Sequence, residues 1–186
     1  MTKFKLRRAN QDDAEAIAQV QLQSWREAYG DFGIDDFLKS QTLTDRAKAW
    51  KGHLDPAKAP NATFVAYLPN GAHEVHEPHK GKSIVAFCSS GPSRVPAYQG
   101  WGEVYALYCV ERAQGLGIGR ALMVRQAAYL GGLGYTCMFV RTMKRGRAKH
   151  FYQHLGGQFL FAAEVEFGGV QFADITYGWP QIAQLA

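Results

Sequence analysis

The stretch Ala106-Leu107-Tyr108-Cys109-Val110-Glu111-Arg112-Ala113-Gln114-Gly115-Leu116-Gly117-Ile118-Gly119-Arg120 decides the fold. It begins inside Gly102 to Val110, a run rich in aromatic and branched residues that reads as a strand. It ends in a helix whose apolar positions Leu116, Ala121, Leu122, Ala128 and Tyr129 suit packing on a sheet. A strand, a glycine turn and a helix N-terminus together make an anion site. The first helical N–H groups lack partners, the dipole end is positive, and glycine lets a phosphate approach the backbone. Spacing selects the ligand. Gly115, Gly117 and Gly119 give G-x-G-x-G, whereas the dinucleotide fingerprint is G-x-G-x-x-G. A P-loop needs G-x-x-x-x-G-K-[ST]. The chain does contain Gly81-Lys82-Ser83, but His76 stands at the first glycine position and a strand follows.

Upstream, Phe4 to Arg8 alternate into a short strand, and Asp12 with Glu15 resembles a capping box. Ala14, Ile17, Ala18, Leu22, Trp25 and Tyr29 share one face of a first helix that ends near Gly30. Short helices are expected over 35–38 and 44–53, and the prolines at 56 and 60 close that block. The period then becomes strand-like over 63–68 and 84–88. Between those strands, Pro69 to Lys82 is polar and holds three of the six histidines, so it reads as an exposed loop or flap. Downstream, Gly131, Gly132 and Gly134 end the helix that follows the glycine turn. A strand over 137–140, a helix over 147–155 and a closing hairpin of 158–165 with 171–177 complete an α/β chain with crossover helices and an antiparallel end.

Composition sets the bounds. With 186 residues, 47% apolar and 20% charged, the chain fits one domain spanning 1–186. No apolar run reaches membrane-span length and no signal-peptide core follows Met1, so the expectation is a cytoplasmic protein without a membrane partner. A net charge of +5 suits an anionic ligand but is too mild for a nucleic-acid binder. Cys88, Cys109 and Cys137 lie in apolar runs without CxxC spacing and read as small buried hydrophobes, neither a disulfide framework nor a zinc site.

Gln114-Gly115-Leu116-Gly117-Ile118-Gly119 is Q-x-x-G-x-G, and Ala148 to Gly156 spells A-x-x-F-Y-x-x-x-G. Strand, loop and second helix, in this order, resemble the GNAT superfamily of acyl-CoA N-acyltransferases, and Trp25-x-x-x-Tyr29 resembles its substrate-side helices. The resemblance covers almost the whole chain. It implies a mixed, mostly antiparallel central sheet flanked by helices, with acetyl-CoA on the strand, glycine loop and helix. It implies that Leu107 and Cys109 offer backbone groups to the acetyl oxygen and pantetheine, and that Gln114, Gly115, Leu116, Gly117, Gly119 and Arg120 hold the phosphates. A homodimer is compatible with it, and no metal is implied. Two departures stand out. Arg145 replaces the asparagine often found three residues before Ala148, and Gly157 replaces the usual aromatic after Gly156.

The implied reaction is direct attack of a primary amine on a thioester. A lysine-like amine is neutral in only about 1 part in 2,500 at pH 7, so a base matters. Glu103, eleven residues before Gln114, looks like the glutamate base of some members; strand alternation would put it on one face with Tyr105, Leu107 and Cys109. A solvated strand-end carboxylate is its alternative reading. Tyr152 matches the tyrosine that can protonate the leaving sulfur, or packs as an ordinary helix aromatic. Trp25 and Tyr29 are candidates for the acceptor site, or for core.

The basic run Arg141, Lys144, Arg145, Arg147, Lys149 could bind a CoA phosphate, meet an acidic partner, or be solvated surface. His73, Glu74, His76, Glu77 and His79 look ligand-rich, but Pro78 forbids the helix that H-E-x-x-H requires. Cys109 as a thiol nucleophile is disfavoured, since nothing brings His150 or His154 to it. Two rivals remain: an acyl-CoA-binding sensor or interaction domain without turnover, and a nucleotide-binding protein.

Overall fold

A computed structural model of the protein describes residues 4–58, 60–69 and 82–185. Its frame is a seven-stranded sheet made of β1 (Lys5–Arg8), β2 (Ala62–Pro69), β3 (Lys82–Pro92), β4 (Gly102–Cys109), β5 (Met138–Met143), β6 (Gln158–Phe167) and β7 (Val170–Trp179), in the order β1-β2-β3-β4-β5-β7-β6. Only β4 and β5 run parallel, because α4 (Ile118–Gly132) crosses between them; every other neighbour is antiparallel. The expected flap and its histidines fall almost wholly on 70–81, outside the described residues.

Helices cover both faces. On one lie α1 (Ala14–Tyr29) and α3 (Leu43–His53), with the short α2 (Asp35–Ser40) between them; Trp50 of α3 meets Phe87 of β3 edge to face at 4.9 Å. On the other lie α4 and α5 (Ala148–His154). There Ile118, Leu122, Met123 and Leu130 are fully buried, each contributing about 1.5–3 kcal/mol of apolar burial. The buried stripe of α4 differs from the expected one: Ala128 is exposed, and Gln126 takes a core position. Gln126 accepts from Ser90 Oγ (2.7 Å) and donates to the carbonyls of Cys88 (2.6 Å) and Ala62 (3.2 Å), so a polar side chain clamps α4 to β2 and β3.

Local details correct other expectations. The capping box is built by Asn10 and Asp13, not by Asp12 and Glu15. Asn10 Oδ1 accepts the Asp12 N–H and Asp13 Oδ2 accepts the Asn10 N–H, while Arg7 braces Asp13 at 2.6 Å. Gly131 and Gly132 lie within α4, and Gly134, at φ +91°, makes the turn out of it. Cys88 is buried, but Cys109 and Cys137 are half-buried.

The departure that matters most is in β4. Ser89 pairs with Ala106 and Ser90 with Val104, leaving Tyr105 as an extra, bulged residue. The bulge shifts the alternation by one. Glu103, Tyr105, Ala106 and Tyr108 therefore face α1 and α3, while Val104 and Leu107 face α4, so Glu103 and Tyr105 do not share a face with Leu107 and Cys109 as expected.

Candidate active site

β4 pairs with β5 only at Gly102↔Met138, Glu103↔Phe139 and Val104↔Val140. Beyond Val104 the two strands diverge, β5 continuing against β7 alone through Met143. The burial of β4 follows: residues 102–104 are buried and 105–109 half-buried. A wedge thus opens in the sheet along Tyr105 to Cys109, where backbone N–H and C=O groups have no strand on the β5 side. It leads into the glycine loop.

Ala113 and Ile118 are buried anchors, and Gln114, Gly115, Leu116 and Gly117 between them are exposed. Gly115 (φ +74°) and Gly117 (φ +81°) adopt the left-handed conformation that costs a side-chain-bearing residue about 1–2 kcal/mol. At both, an added Cβ would meet nothing within 4 Å, so the left-handed backbone, not crowding, explains these two glycines. Gly119 differs, since a Cβ there would lie 3.0 Å from the Phe151 ring, so it permits close packing of α4 on α5. Gly117 is the N-cap of α4 and offers no capping side chain; the first intrahelical bond runs from Ala121 N–H to Gly117 C=O, 3.0 Å. The first-turn N–H groups have no capping side chain, and Arg120 in that turn is exposed.

Two side chains fix the junction of strand and loop. Gln114 Nε2 donates to the Cys109 carbonyl, 3.1 Å, so this expected cofactor residue shapes the loop itself. Glu27 of α1, which the sequence did not single out, accepts the Glu111 N–H at 2.8 Å.

Glu103 is 2% exposed. Its Oε2 accepts the Arg94 backbone N–H (2.7 Å) and its Oε1 accepts Arg94 Nη2 (2.6 Å) and Nε (3.2 Å). It is therefore a buried carboxylate held by one arginine, which overturns the picture of a solvated strand-end group. Arg94 itself is largely exposed, and its guanidinium lies 4.1 Å from the Tyr105 ring centre. Burial raises the Tyr105 hydroxyl to about 12.

Tyr152 is buried against Tyr177 and Trp179, with burial and then Cys88 and Tyr108 pushing its hydroxyl well above the usual tyrosine range. Tyr29 and Tyr108 are raised in the same way, burial first. These tyrosines keep their protons at physiological pH. Cys109 is pushed to about 11 by burial and then by Glu27, so it is a thiol, not the thiolate a nucleophile needs. His154 Nδ1 is engaged with the His150 carbonyl at 2.6 Å.

Trp25 is 6% exposed, packed among Phe37, Tyr108 and Phe167. Tyr29 packs on Phe32 and Phe167. The tip of the β6–β7 hairpin thus closes over α1 and α2. Within the basic run, Arg141 Nε donates to Asp174 Oδ2 (2.9 Å) and Arg145 lies 5.1 Å over Phe32, so these two exposed side chains each have a protein partner while remaining at the surface. Burial raises the Asp174 carboxyl, and Arg141 opposes that shift.

Among the described residues no group of three or more His, Cys, Asp or Glu could hold a metal ion, and no helix is long and apolar enough to cross a membrane.

Comparisons with known proteins agree with this geometry. The profile of the family described as "Acetyltransferase (GNAT) domain" matches residues 63–156, which spans the wedge, the loop, α4 and α5. The Bacillus subtilis (strain 168) protein named "Uncharacterized N-acetyltransferase YuaI" is 30% identical over 180 residues, covering 97% of this chain and 95% of its own. Among solved structures, the Salmonella typhimurium protein yncA, a putative acetyltransferase with its cofactor acetyl-CoA, superposes with a TM-score of 0.68 at 16% identity, over 97% of this chain and 94% of its own. The paia N-acetyltransferase of Thermoplasma acidophilum in complex with coenzyme A gives 0.69 at 12% identity, over 95% and 99%. With its split sheet, its glycine-capped helix and a relative that matches nearly end to end, the chain belongs to the GNAT acetyltransferase family.

Proposed function

We propose that the protein moves the acetyl group of acetyl-CoA onto a primary amine by direct attack. The observation that carries this reading is the wedge between β4 and β5, opening at Val104↔Val140 and running into a glycine-capped helix N-terminus. An extended thioester with a pyrophosphate at one end fits that shape. Acetyl-CoA supplies the electrophilic carbonyl. The Leu107 N–H polarises its oxygen, the Cys109 backbone holds pantetheine, and Gly115, Leu116, Gly117, Gly119 and Arg120 receive the phosphates. That yncA and paia bind acetyl-CoA and coenzyme A on the same fold supports the assignment.

Glu103 accepts the amine proton in this reading. Its one ionic partner among the described residues is the mostly exposed Arg94, which leaves an oxygen readily because water solvates the guanidinium. Tyr152 acts as a hydrogen-bond donor to the leaving sulfur. With a thiol near 8.5, leaving it unprotonated at pH 7 costs at most about 2 kcal/mol, so the donor matters less than the base. The Arg94–Glu103 pair also favours a second reading, a domain that binds acyl-CoA without turnover. Release of CoA thiol in the presence of acetyl-CoA and a panel of amines separates the two. Amine-dependent release is expected; tight acetyl-CoA binding with no release across the panel would establish the second reading.

A further inference from the structure

The face of the sheet that carries α1 and α3 holds a cleft of about 490 Å³, lined by Gln21, Arg46, Trp50, Arg94, Tyr105 and Ala106, among others. The volume suits a small molecule. Its floor is the β4 bulge, so it meets the wedge one residue from Leu107, on the side away from α4.

The polar groups around the cleft are mostly donors. The Trp50 indole donates to Gln21 Oε1 at 2.8 Å; since indole accepts nothing, this bond orients the amide and leaves its NH2 as the other end. Gln21 is 5% exposed, and its NH2 has no partner among the described residues. Arg46 stacks 5.2 Å over the Trp25 ring, has no carboxylate partner among the described residues, and keeps its Nε buried without a hydrogen bond. Arg94 is already neutralised by Glu103. Ser89 Oγ accepts from Thr63 at 3.0 Å and lies 2.7 Å from His53 Nε2, and the Tyr105 hydroxyl donates to the Pro92 carbonyl at 2.7 Å, with Asn61 Oδ1 3.3 Å away. One uncompensated, partly buried guanidinium beside an accessible amide NH2 is a site for a compact anion, because a partly buried charge without a counter-charge is unfavourable until one arrives.

We propose that this cleft is the acceptor site and that the acceptor is a small amine that also carries a carboxylate, bound by Arg46 and Gln21. This rests on the transferase reading. The carboxylate on Arg46 and the amine directed towards Ala106 would place the nucleophile at the mouth of the wedge.

The test has a binding arm and a turnover arm. The CoA complex of the full chain is screened by thermal shift against the twenty amino acids and short ω-amino acids, each beside its amide. At least one carboxylate member is expected to stabilise the complex while its amide does not. Arg46→Gln should remove that shift and keep the acetyl-CoA shift of the wild type, which shows that the variant is folded; Arg46→Lys should restore part of it. In thiol release, the same members should be acetylated, and Arg46→Gln should raise the acceptor KM at least tenfold with the acetyl-CoA KM unchanged. Amides acting as well as acids, or turnover confined to amines without a carboxylate, would overturn the inference and leave the transferase reading standing. Carboxylate-selective binding lost in Arg46→Gln, with no thiol release from any amine, would leave the anion site standing and overturn the transferase reading.

Discussion

At Glu103 the carboxylate is committed to Arg94 through three short contacts, so a neutral replacement tests chemistry with little structural damage. Glu103→Gln should lower kcat by about 10²- to 10⁴-fold, with the acetyl-CoA Kd unchanged, as expected for loss of a general base. Its stability cost should be about 1–2 kcal/mol, because Arg94 is released to water and no charge stays buried. A kcat within threefold of wild type would remove Glu103 from proton transfer. Tyr152→Phe should cost less than about 30-fold in kcat, the limit set by the sulfur's own acidity. The family resemblance singled out Glu103 as a candidate, but its partner was invisible in the sequence: Arg94 reaches it from the turn between β3 and β4, and nothing in the Ser93-Arg94-Val95 context marks that arginine.

Among the elements, α4 carries two separable jobs, one at its tip and one along its buried stripe. At the tip, Gly117→Trp places a ring where an added Cβ meets nothing, so the fold should survive at a cost of about 1–2 kcal/mol for the left-handed backbone while CoA affinity is abolished; titration of the variant with CoA checks this. Along the stripe, Gln126→Leu leaves buried Ser90 Oγ without its acceptor and removes the amide's two bonds to the carbonyls of Cys88 and Ala62. That should cost about 3 kcal/mol and lower Tm by roughly 6–12 °C in a chain of this size. The glycine turn at the tip was legible, because Gly115 and Gly117 stand between a strand and a helix; the packing role of Gly119 against Phe151 was not. The stripe was not, since a glutamine on a helix reads as solvent-facing until a neighbouring strand supplies carbonyls for it. The β4 bulge escaped for a related reason: a bulge is a property of pairing between two strands, and Tyr105 looks like any alternating residue.

Over the whole molecule, two features were legible, a glycine-started crossover helix that makes β4 and β5 parallel and consecutive strands that pair antiparallel as β2–β3, β3–β4 and β6–β7; the pairing of β1 with β2 across three helices and the insertion of β7 between β5 and β6 were not. What was also not legible is how distant parts meet over α1 and α2. Phe167, at the hairpin tip 138 positions from Tyr29, packs against Tyr29, Trp25 and Phe37. Phe167→Ala should therefore lose about 2 kcal/mol and roughly 4–8 °C in Tm, read by thermal denaturation. It should leave CoA binding intact, because the glycine loop lies elsewhere. The central claim, that the wedge and its glycine loop hold acetyl-CoA, is tested most directly by comparing thermal shifts of the wild-type chain with acetyl-CoA, CoA, ATP and NAD at about 100 times Kd. Binding at that saturation adds about 2.7 kcal/mol, or roughly 5–10 °C. The account predicts that rise for acetyl-CoA and CoA alone, and its loss in Gly117→Trp. No rise with either, or a larger one with ATP or NAD, would contradict it.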